Sequence, residues 1–184
     1  MNFDLLSPDS APEGAAERLA EIQGRMGGFL PNLYRQMAHA PVVLETYLAL
    51  QDKLRSTSFS PAEQQLIMLT ASAHNGCTYC VPAHSSGARM AGLDKAAITA
   101  IRDGTPIEDA RLQALRAFVE AVIDSCGRVG PEVEAAFLDA GFARTQAAEA
   151  LIGVAAKALS NSFAALCDTP VDEVLAKLAW QGKA

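Results

Sequence analysis

The sequence is poor in β-branched runs, in positive charge and in cysteine, and each shortage narrows what the chain can be. Runs of valine, isoleucine and threonine alternating with polar residues are scarce. Alanine is abundant instead, and nearly every apolar stretch repeats at three and four residues, the period of a helix. The expectation is an all-α domain. Fifteen basic residues against 21 acidic ones leave a net charge of −6, with a sequence pI of about 5.0, which argues against a nucleic-acid partner or an anionic membrane surface. The most apolar windows, 66–73 and 150–156, are too short and too interrupted to span a bilayer. Met1-Asn2-Phe3-Asp4 opens no charged segment followed by an apolar run, and four cysteines in 184 residues do not make a secreted disulfide framework. The expected compartment is therefore the cytoplasm.

No stretch has the composition of a disordered linker, and 184 residues are enough to bury a core without metal or disulfide staples. The chain reads as a single helical domain over 1–184, with N-terminal helices in 1–56, a central region in 57–104 and C-terminal helices in 105–184. Between eight and ten helices are expected. The first fits Glu13 to Met26 and stops at Gly27-Gly28; Pro31 opens a short one through Ala38, and Pro41 another through Leu54. Ser60-Pro61-Ala62-Glu63 is a capping box with proline at the first helical position, launching Gln64 to His74. The next helix runs to about Met90 and ends at Gly92. Further helices fit Asp94 to Arg102, Glu108 to Cys126, Pro131 to Leu138, Thr145 to Leu166 and Pro170 to Trp180. A weak repeat at an offset of 85 residues relates Ser60–Asn75 to Thr145–Ser160, with Ser162 and Ala165 where the first copy has Cys77 and Cys80.

The chemistry concentrates at Cys77-Thr78-Tyr79-Cys80, followed one helical turn later by His84. A two-residue gap lets two sulfurs meet across the first turn of a helix, and offsets of zero, three and seven put the thiols and the imidazole on one helical stripe. Asn75-Gly76 can end the preceding helix, which places Cys77 near a helix N-terminus where thiolate is favoured. His84 is in position to accept a thiol proton. Two other readings stand beside the redox one. The thiols can be small buried hydrophobes, or His74, Cys77, Cys80 and His84 can hold zinc. Ten residues of one helix climb about 15 Å, so zinc needs the chain to fold back. His74 otherwise reads as a helix-end residue satisfied by backbone, Cys126 and Cys167 as core, and Trp180 and the phenylalanines as packing residues.

Taken together, Ser60-Pro61-Ala62-Glu63, the apolar helix after it, Asn75-Gly76-Cys77-Thr78-Tyr79-Cys80 and His84 resemble the AhpD-like branch of the carboxymuconolactone decarboxylase superfamily. Looser similarity extends to Phe29-Leu30-Pro31-Asn32, Gly92-Leu93 and Leu159-Ser160-Asn161. The resemblance implies an all-α fold of duplicated helical units, assembly as a trimeric or hexameric homo-oligomer, and reduction of a hydroperoxide without a bound cofactor or metal. It implies that Cys80 attacks the peroxide, that Cys77 resolves the sulfenic acid to a disulfide, and that a thiol or dithiol reductant closes the cycle. Two positions depart from the family pattern. Gln65 stands where the family has the glutamate of a proton relay to the histidine, and an amide orients but does not exchange a proton; Glu63, about 200° away around the helix, is a poor substitute. Tyr79 stands where some relatives have histidine. Both departures weaken the expected proton supply while keeping the thiol pair. The alternatives are a decarboxylase or lactone-processing enzyme of the same superfamily and a zinc-stabilised structural protein.

Overall fold

The computed structural model describes residue 1 and residues 3–182. Among these there is no β-strand, and the helical pattern read from the sequence becomes α1 (Glu13–Arg25), α2 (Asn32–Met37), α3 (Pro41–Arg55), α4 (Pro61–His74), α5 (Cys80–Met90), α6 (Lys95–Asp103), α7 (Ala110–Ser125), α8 (Pro131–Asp139) and α9 (Arg144–Cys167). The capping box forms as expected. The Ser60 hydroxyl accepts from the Glu63 amide at 3.3 Å, and Glu63 Oε2 accepts from the Ser60 amide at 2.9 Å, satisfying two of the orphan donors at the start of α4.

α4 is the axis of the molecule. Every residue from Leu66 to Ala73 is buried, a pattern that suits a helix surrounded on all sides. On one side it packs with α5, α6 and α7, and α8 packs on α7 in turn, where Phe118, Phe137 and Phe142 stack in succession. Its other side faces a second cluster, built from α1, α2, α3 and α9 around Leu19, Met37 and Leu44, which also takes in Cys77, Tyr79 and Cys80. The longest helix, α9, has 24 residues and contains an 18-residue window of mean hydropathy 1.5, long and apolar enough on those two measures to cross a membrane. In the fold it instead packs against α3, α4 and α7.

Three elements differ from expectation. The helix carrying the thiols begins at Cys80, so Cys77 lies in the preceding turn and not on the helical stripe. The reason is the form of the α4 stop. Gly76 adopts φ +68°, the Gly76 amide donates to Ala73 O at 3.2 Å and the Cys77 amide to Ser72 O at 2.9 Å, the doubly bonded left-handed ending that glycine permits. Pro170 to Trp180 forms only a 3-10 helix over Glu173–Leu178. Cys126, expected in the core, is exposed and closes α7 in a left-handed conformation at φ 52°. Cys167 and Trp180 are buried.

The two copies of the weak repeat, α4 and α9, touch each other. Where α4 breaks at Asn75, α9 runs on unbroken through residues 160–164. Their crossing is close. A Cβ on Gly153 would lie 2.6 Å from Ile67 Cγ2, inside the van der Waals limit, and Ile67 is fully buried. Gly153→Ala should therefore destabilise the fold by about 1–3 kcal/mol, the usual cost of overpacking. Gly24→Ala, in an exposed helix position with no atom within 4 Å of the new methyl, should stabilise it by about 0.4–1 kcal/mol. Urea unfolding midpoints of the two variants check both signs.

Candidate active site

The turn that ends α4 presents one sulfur to the start of α5. The Cys80 amide donates to Cys77 Sγ at 3.2 Å, so the first thiol satisfies the first backbone amide of the helix that begins with the second thiol. Both sulfurs are free and buried. Their proton affinities are pushed apart. Hydrogen bonding to Cys77 brings the Cys80 thiol down to about 6; burial opposes this, and the charge and polar hydrogens of Lys157, together with Asn161, reinforce it. The Cys77 thiol is pushed up, first by its hydrogen bond to Cys80 and then by burial and the Cys80 charge. The nearer neighbour of the helix start and of the lysine is thus the thiolate, and it is Cys80, not Cys77, that the helix N-terminus serves.

The polar core of the site comes from three helices. Lys157 of α9 is completely buried, and its Nζ lies 3.0 Å from His84 Nε2. On its other edge, His84 Nδ1 lies 3.2 Å from Gln65 Oε1. These contacts fix the tautomer. An ammonium only donates, so Nε2 accepts; the imidazole proton is then on Nδ1, and Gln65 turns its carbonyl oxygen toward it. Burial, and secondly the Lys157 charge, hold the His84 imidazole well below its ordinary value, which keeps it neutral in the state drawn by these hydrogen bonds. Gly87 makes room for the arrangement, because a Cβ there would stand 2.8 Å from Gln65 Oε1.

Cys80, His84, Gln65 and Lys157 all line one cavity of about 470 Å³. Its other walls are largely apolar and aromatic: Met26, Phe29, Leu33, Tyr34, Tyr47, Met90, Val174 and Leu175. Cys77 is not among its lining residues. It lines a separate recess of about 80 Å³ with Gly76, Thr78, Asp168 and Thr169. Tyr79, between the two cysteines, is an anchor: its hydroxyl donates to Asp172 Oδ2 at 2.7 Å and accepts from the Leu33 amide at 3.2 Å. Asp172 Oδ1 in turn accepts from the Asn32 amide at 2.9 Å. The Pro31-Asn32 turn and the 3-10 segment are thereby tied to the residue between the thiols.

Of the residues singled out from sequence, Cys80, His84 and Gln65 meet at this cavity, and Cys77 touches it through Cys80. The direct partner of His84 is a lysine and a glutamine, not a thiol. Glu63 is committed elsewhere, to the Ser60 cap and to Arg111 at 3.0 Å, whose guanidinium lies over Phe142. The four candidate zinc ligands do not converge. His74 Nε2 is bonded to Asp124 Oδ1 at 2.7 Å, a side-chain partner where a backbone one was expected, and among the described residues no three His, Cys, Asp or Glu side chains group for a metal ion. Sequence reasoning missed Lys157, Asn161 and Asn75. Asn75 Nδ2 donates to Asn161 Oδ1 at 3.0 Å, while the buried Asn161 Nδ2 has no standard hydrogen bond among the described residues and lies close enough to Cys80 to favour its thiolate. The available signal for Lys157 was a single base within the apolar stretch Thr145–Leu166.

Residues 41–122 match the model of the carboxymuconolactone decarboxylase family. No protein of curated function matches the sequence. Solved structures share the fold at low identity. An uncharacterised peroxidase-related protein from Ralstonia eutropha JMP134, described as an alkylhydroperoxidase AhpD core, superposes with a TM-score of 0.79 at 21% identity, over 95% of this chain and 93% of its own. A peroxidase-related protein from Silicibacter sp. TM1040 gives 0.78 at 17% identity, covering 100% and 94%. The debrominase Bmp8, in a cysteine-to-alanine variant bound to 2,3,4-tribromopyrrole, gives 0.75 at 18% identity, covering 95% of each chain.

The split between the thiols has a measurable sign. A thiol lowered to about 6 is ionised above that pH, so alkylation of Cys80 by iodoacetamide should climb as pH rises through about 6 and level off by neutrality. An ordinary thiol climbs near about 8.5, and Cys77, raised further, should stay unmodified across the range. Peptide mapping after timed alkylation reads both; preferential labelling of Cys77 would reverse the assignment.

Proposed function

We propose that this chain, an AhpD-like member of the carboxymuconolactone decarboxylase superfamily, is a thiol-dependent peroxidase that reduces organic hydroperoxides. The observation that carries this reading is the unequal thiol pair at the cavity wall: Cys80 lowered and facing the cavity, Cys77 raised and hydrogen-bonded to it from behind. The Cys80 thiolate attacks the terminal oxygen of the hydroperoxide. The S–O bond forms as the O–O bond breaks, and sulfur becomes a sulfenic acid while the peroxide is reduced to an alcohol. Cys77 then displaces hydroxide from Cys80 to close the disulfide, and a dithiol reductant restores both thiols. An apolar, aromatic-walled cavity of about 470 Å³ suits an uncharged alkyl or aryl hydroperoxide.

Cys80→Ser should abolish peroxide consumption. Cys77→Ser should leave a sulfenic acid that dimedone traps on Cys80, and oxidised wild type should yield a Cys77–Cys80 peptide pair in non-reducing mass mapping. Adduct on Cys77, or two free thiols after oxidant, would sink the assignment.

A second reading draws on the same cavity and on the debrominase neighbour. A thiolate under aromatic walls suits removal of bromine from an electron-rich ring: the C–Br bond breaks, sulfur takes the halogen, the ring carbon takes a proton, and Cys77 displaces bromide to give the same disulfide. Bromide release from 2,3,4-tribromopyrrole, set against consumption of cumene hydroperoxide under one reductant, ranks the two. Lactone processing is less well served, since a carboxylate substrate would find Lys157 as the one lysine or arginine among the lining residues, already facing Cys80 and His84.

The reading carries assembly with it. Along α9, Leu151, Ala155, Ala158, Ala165 and Leu166 are exposed beside a groove of about 710 Å³ toward α7 that holds none of the thiol or histidine groups of the cavity, a face suited to burial between copies. Light scattering should give a mass well above the 19.4 kDa of one chain; a monomer at micromolar concentration removes this part of the proposal.

A further inference from the structure

A peroxidase working through Cys80 has to protonate what leaves. When the thiolate takes the terminal oxygen of R–O–O–H, the electron pair of the broken bond departs on R–O⁻, an alkoxide, one of the poorest of leaving groups. In water a solvent molecule would protonate it. In the cavity an acid held beside the sulfur by the protein can do so directly. The residues around Cys80 offer few donors. His84 is neutral, its proton is on Nδ1 and is given to Gln65, and Nε2 accepts. Tyr79 gives its proton to Asp172; Tyr34, whose Oη accepts from Gln51 at 3.0 Å, and Tyr47, on the same wall, are both raised by burial and hold their protons. Cys77 is the resolving thiol. Lys157 remains: it lines the cavity with Cys80, is fully buried, and is aimed by its contact to His84.

Resting on the peroxidase reading above, we propose that Lys157 is the acid that protonates the leaving alkoxide, spending the proton it holds for the Cys80 thiol at rest and regaining it when the disulfide is reduced. Charge balance at a buried pair is the physical reason. Before reaction the wall beside the sulfur holds the Cys80 thiolate and the Lys157 cation; the carboxylate of the lining, Asp172, is taken up by the Tyr79 hydroxyl and the Asn32 amide. Once sulfur is oxidised to the neutral sulfenic acid, a cation left behind would be buried without a partner, the arrangement that proteins avoid most strongly. Transfer of one proton from Lys157 to the alkoxide removes both charges at once and yields ROH.

The later steps balance without any proton from solvent. Cys77–SH and Cys80–SOH condense to the disulfide and water, with Lys157 as the neutral amine able to relay the thiol proton to the departing hydroxide. A dithiol reductant then attacks Cys77, which lines a recess separate from the peroxide cavity, and Cys80 leaves as the better leaving thiolate. The reductant delivers two protons with its two electrons; one stays on Cys77 and the other returns to Lys157. The sum is one hydroperoxide and one dithiol consumed, one alcohol, one water and one disulfide formed. His84 and Gln65 act through the lysine and are positioning residues: the Nε2 lone pair holds Nζ, and Gln65 holds the imidazole in the tautomer that has that lone pair.

Leaving-group dependence tests the acid role separately from the role of Lys157 as counter-ion. Two oxidants are compared at neutral pH by stopped-flow loss of free thiol: cumene hydroperoxide, whose alkoxide needs the proton, and peracetic acid, whose carboxylate leaves without one. The ratio of the two rate constants within one protein cancels the fraction of thiolate. In Lys157→Met the ratio should shift by about 100-fold or more toward the peracid, within the range of general acid catalysis. Lys157→Arg keeps the positive charge but surrenders no proton, so it should keep the thiolate and the peracid rate and still lose cumene hydroperoxide turnover; it also serves should the methionine variant fail to fold. Rates that fall together in both variants, leaving the ratio unchanged, overturn the acid role and leave a counter-ion alone. A wild-type protein that consumes neither oxidant overturns the peroxidase reading and this role with it.

Discussion

One buried positive charge constrains the site. Lys157 is fully removed from solvent, and a buried charge that loses its partner costs roughly 3–5 kcal/mol. The surrounding polar groups are arranged to answer it. A low thiol at Cys80 supplies the anion, and the histidine supplies a lone pair. Neither is a free choice of the active site alone. With a neutral Cys80 the lysine would be an uncompensated ion between two hydrophobic clusters; with an apolar residue at 157 the buried sulfur would be held mainly by its hydrogen bond to Cys77, against the desolvation that raises it. Stability and reactivity therefore draw on the same pair of charges.

The scaffold delivers these groups by contrasting the two helices that cross at Gly153. α4 stops at a left-handed glycine, and the stop turns Cys77 back so that its sulfur accepts from the first amide of the next helix. α9 does not stop, and so carries Lys157 and Asn161 one turn apart on a single rigid face. Asn75, the last residue before the left-handed glycine, reaches across to Asn161, which couples the break in one helix to the continuity of the other. The Tyr79–Asp172–Asn32 chain then fixes the far side of the turn. A thiol pair held at both ends in this way is presented to the cavity by one sulfur only.

The all-helical fold, the start of α4 and the thiol pair were legible because each is written in local pattern: Ser60 to Glu63 within one turn, glycine after asparagine, two cysteines three apart. The partners of those residues were not. Lys157 and Asn161 lie 73 residues after His84 and 86 after Asn75 in contact distance along the chain, and no local periodicity announces which helix will cross which. Even the helix start lies three residues beyond the one the spacing suggests, because a first amide satisfied by a cysteine sulfur leaves none of the usual serine, threonine and aspartate signals. Cys126 was misplaced for a related reason: an apolar helical context says nothing of the left-handed residue that ends the helix and faces outward. The 3-10 segment is shorter than its pattern because Asp172, its first neighbour, is held by Asn32 and Tyr79 instead of capping a longer helix.

The glutamine at position 65 takes on a different meaning once Lys157 is in view. As a replacement for glutamate it reads from sequence as a lost proton carrier. In the site it answers a different requirement. A carboxylate beside Nδ1 would favour imidazolium, whose Nε2 carries a proton and points it at the ammonium 3.0 Å away; two cations would then share a buried wall with one thiolate. An amide accepts the same Nδ1 hydrogen bond without that charge, keeps Nε2 available as an acceptor, and leaves the lysine as the one cation at the sulfur. Glycine at position 87, without which Gln65 would not reach, belongs to the same solution. Gln65 and Lys157 thus form one arrangement across the histidine: the amide takes the Nδ1 proton without adding charge, and the ammonium stands at the other ring nitrogen, on the cavity wall it shares with the thiol.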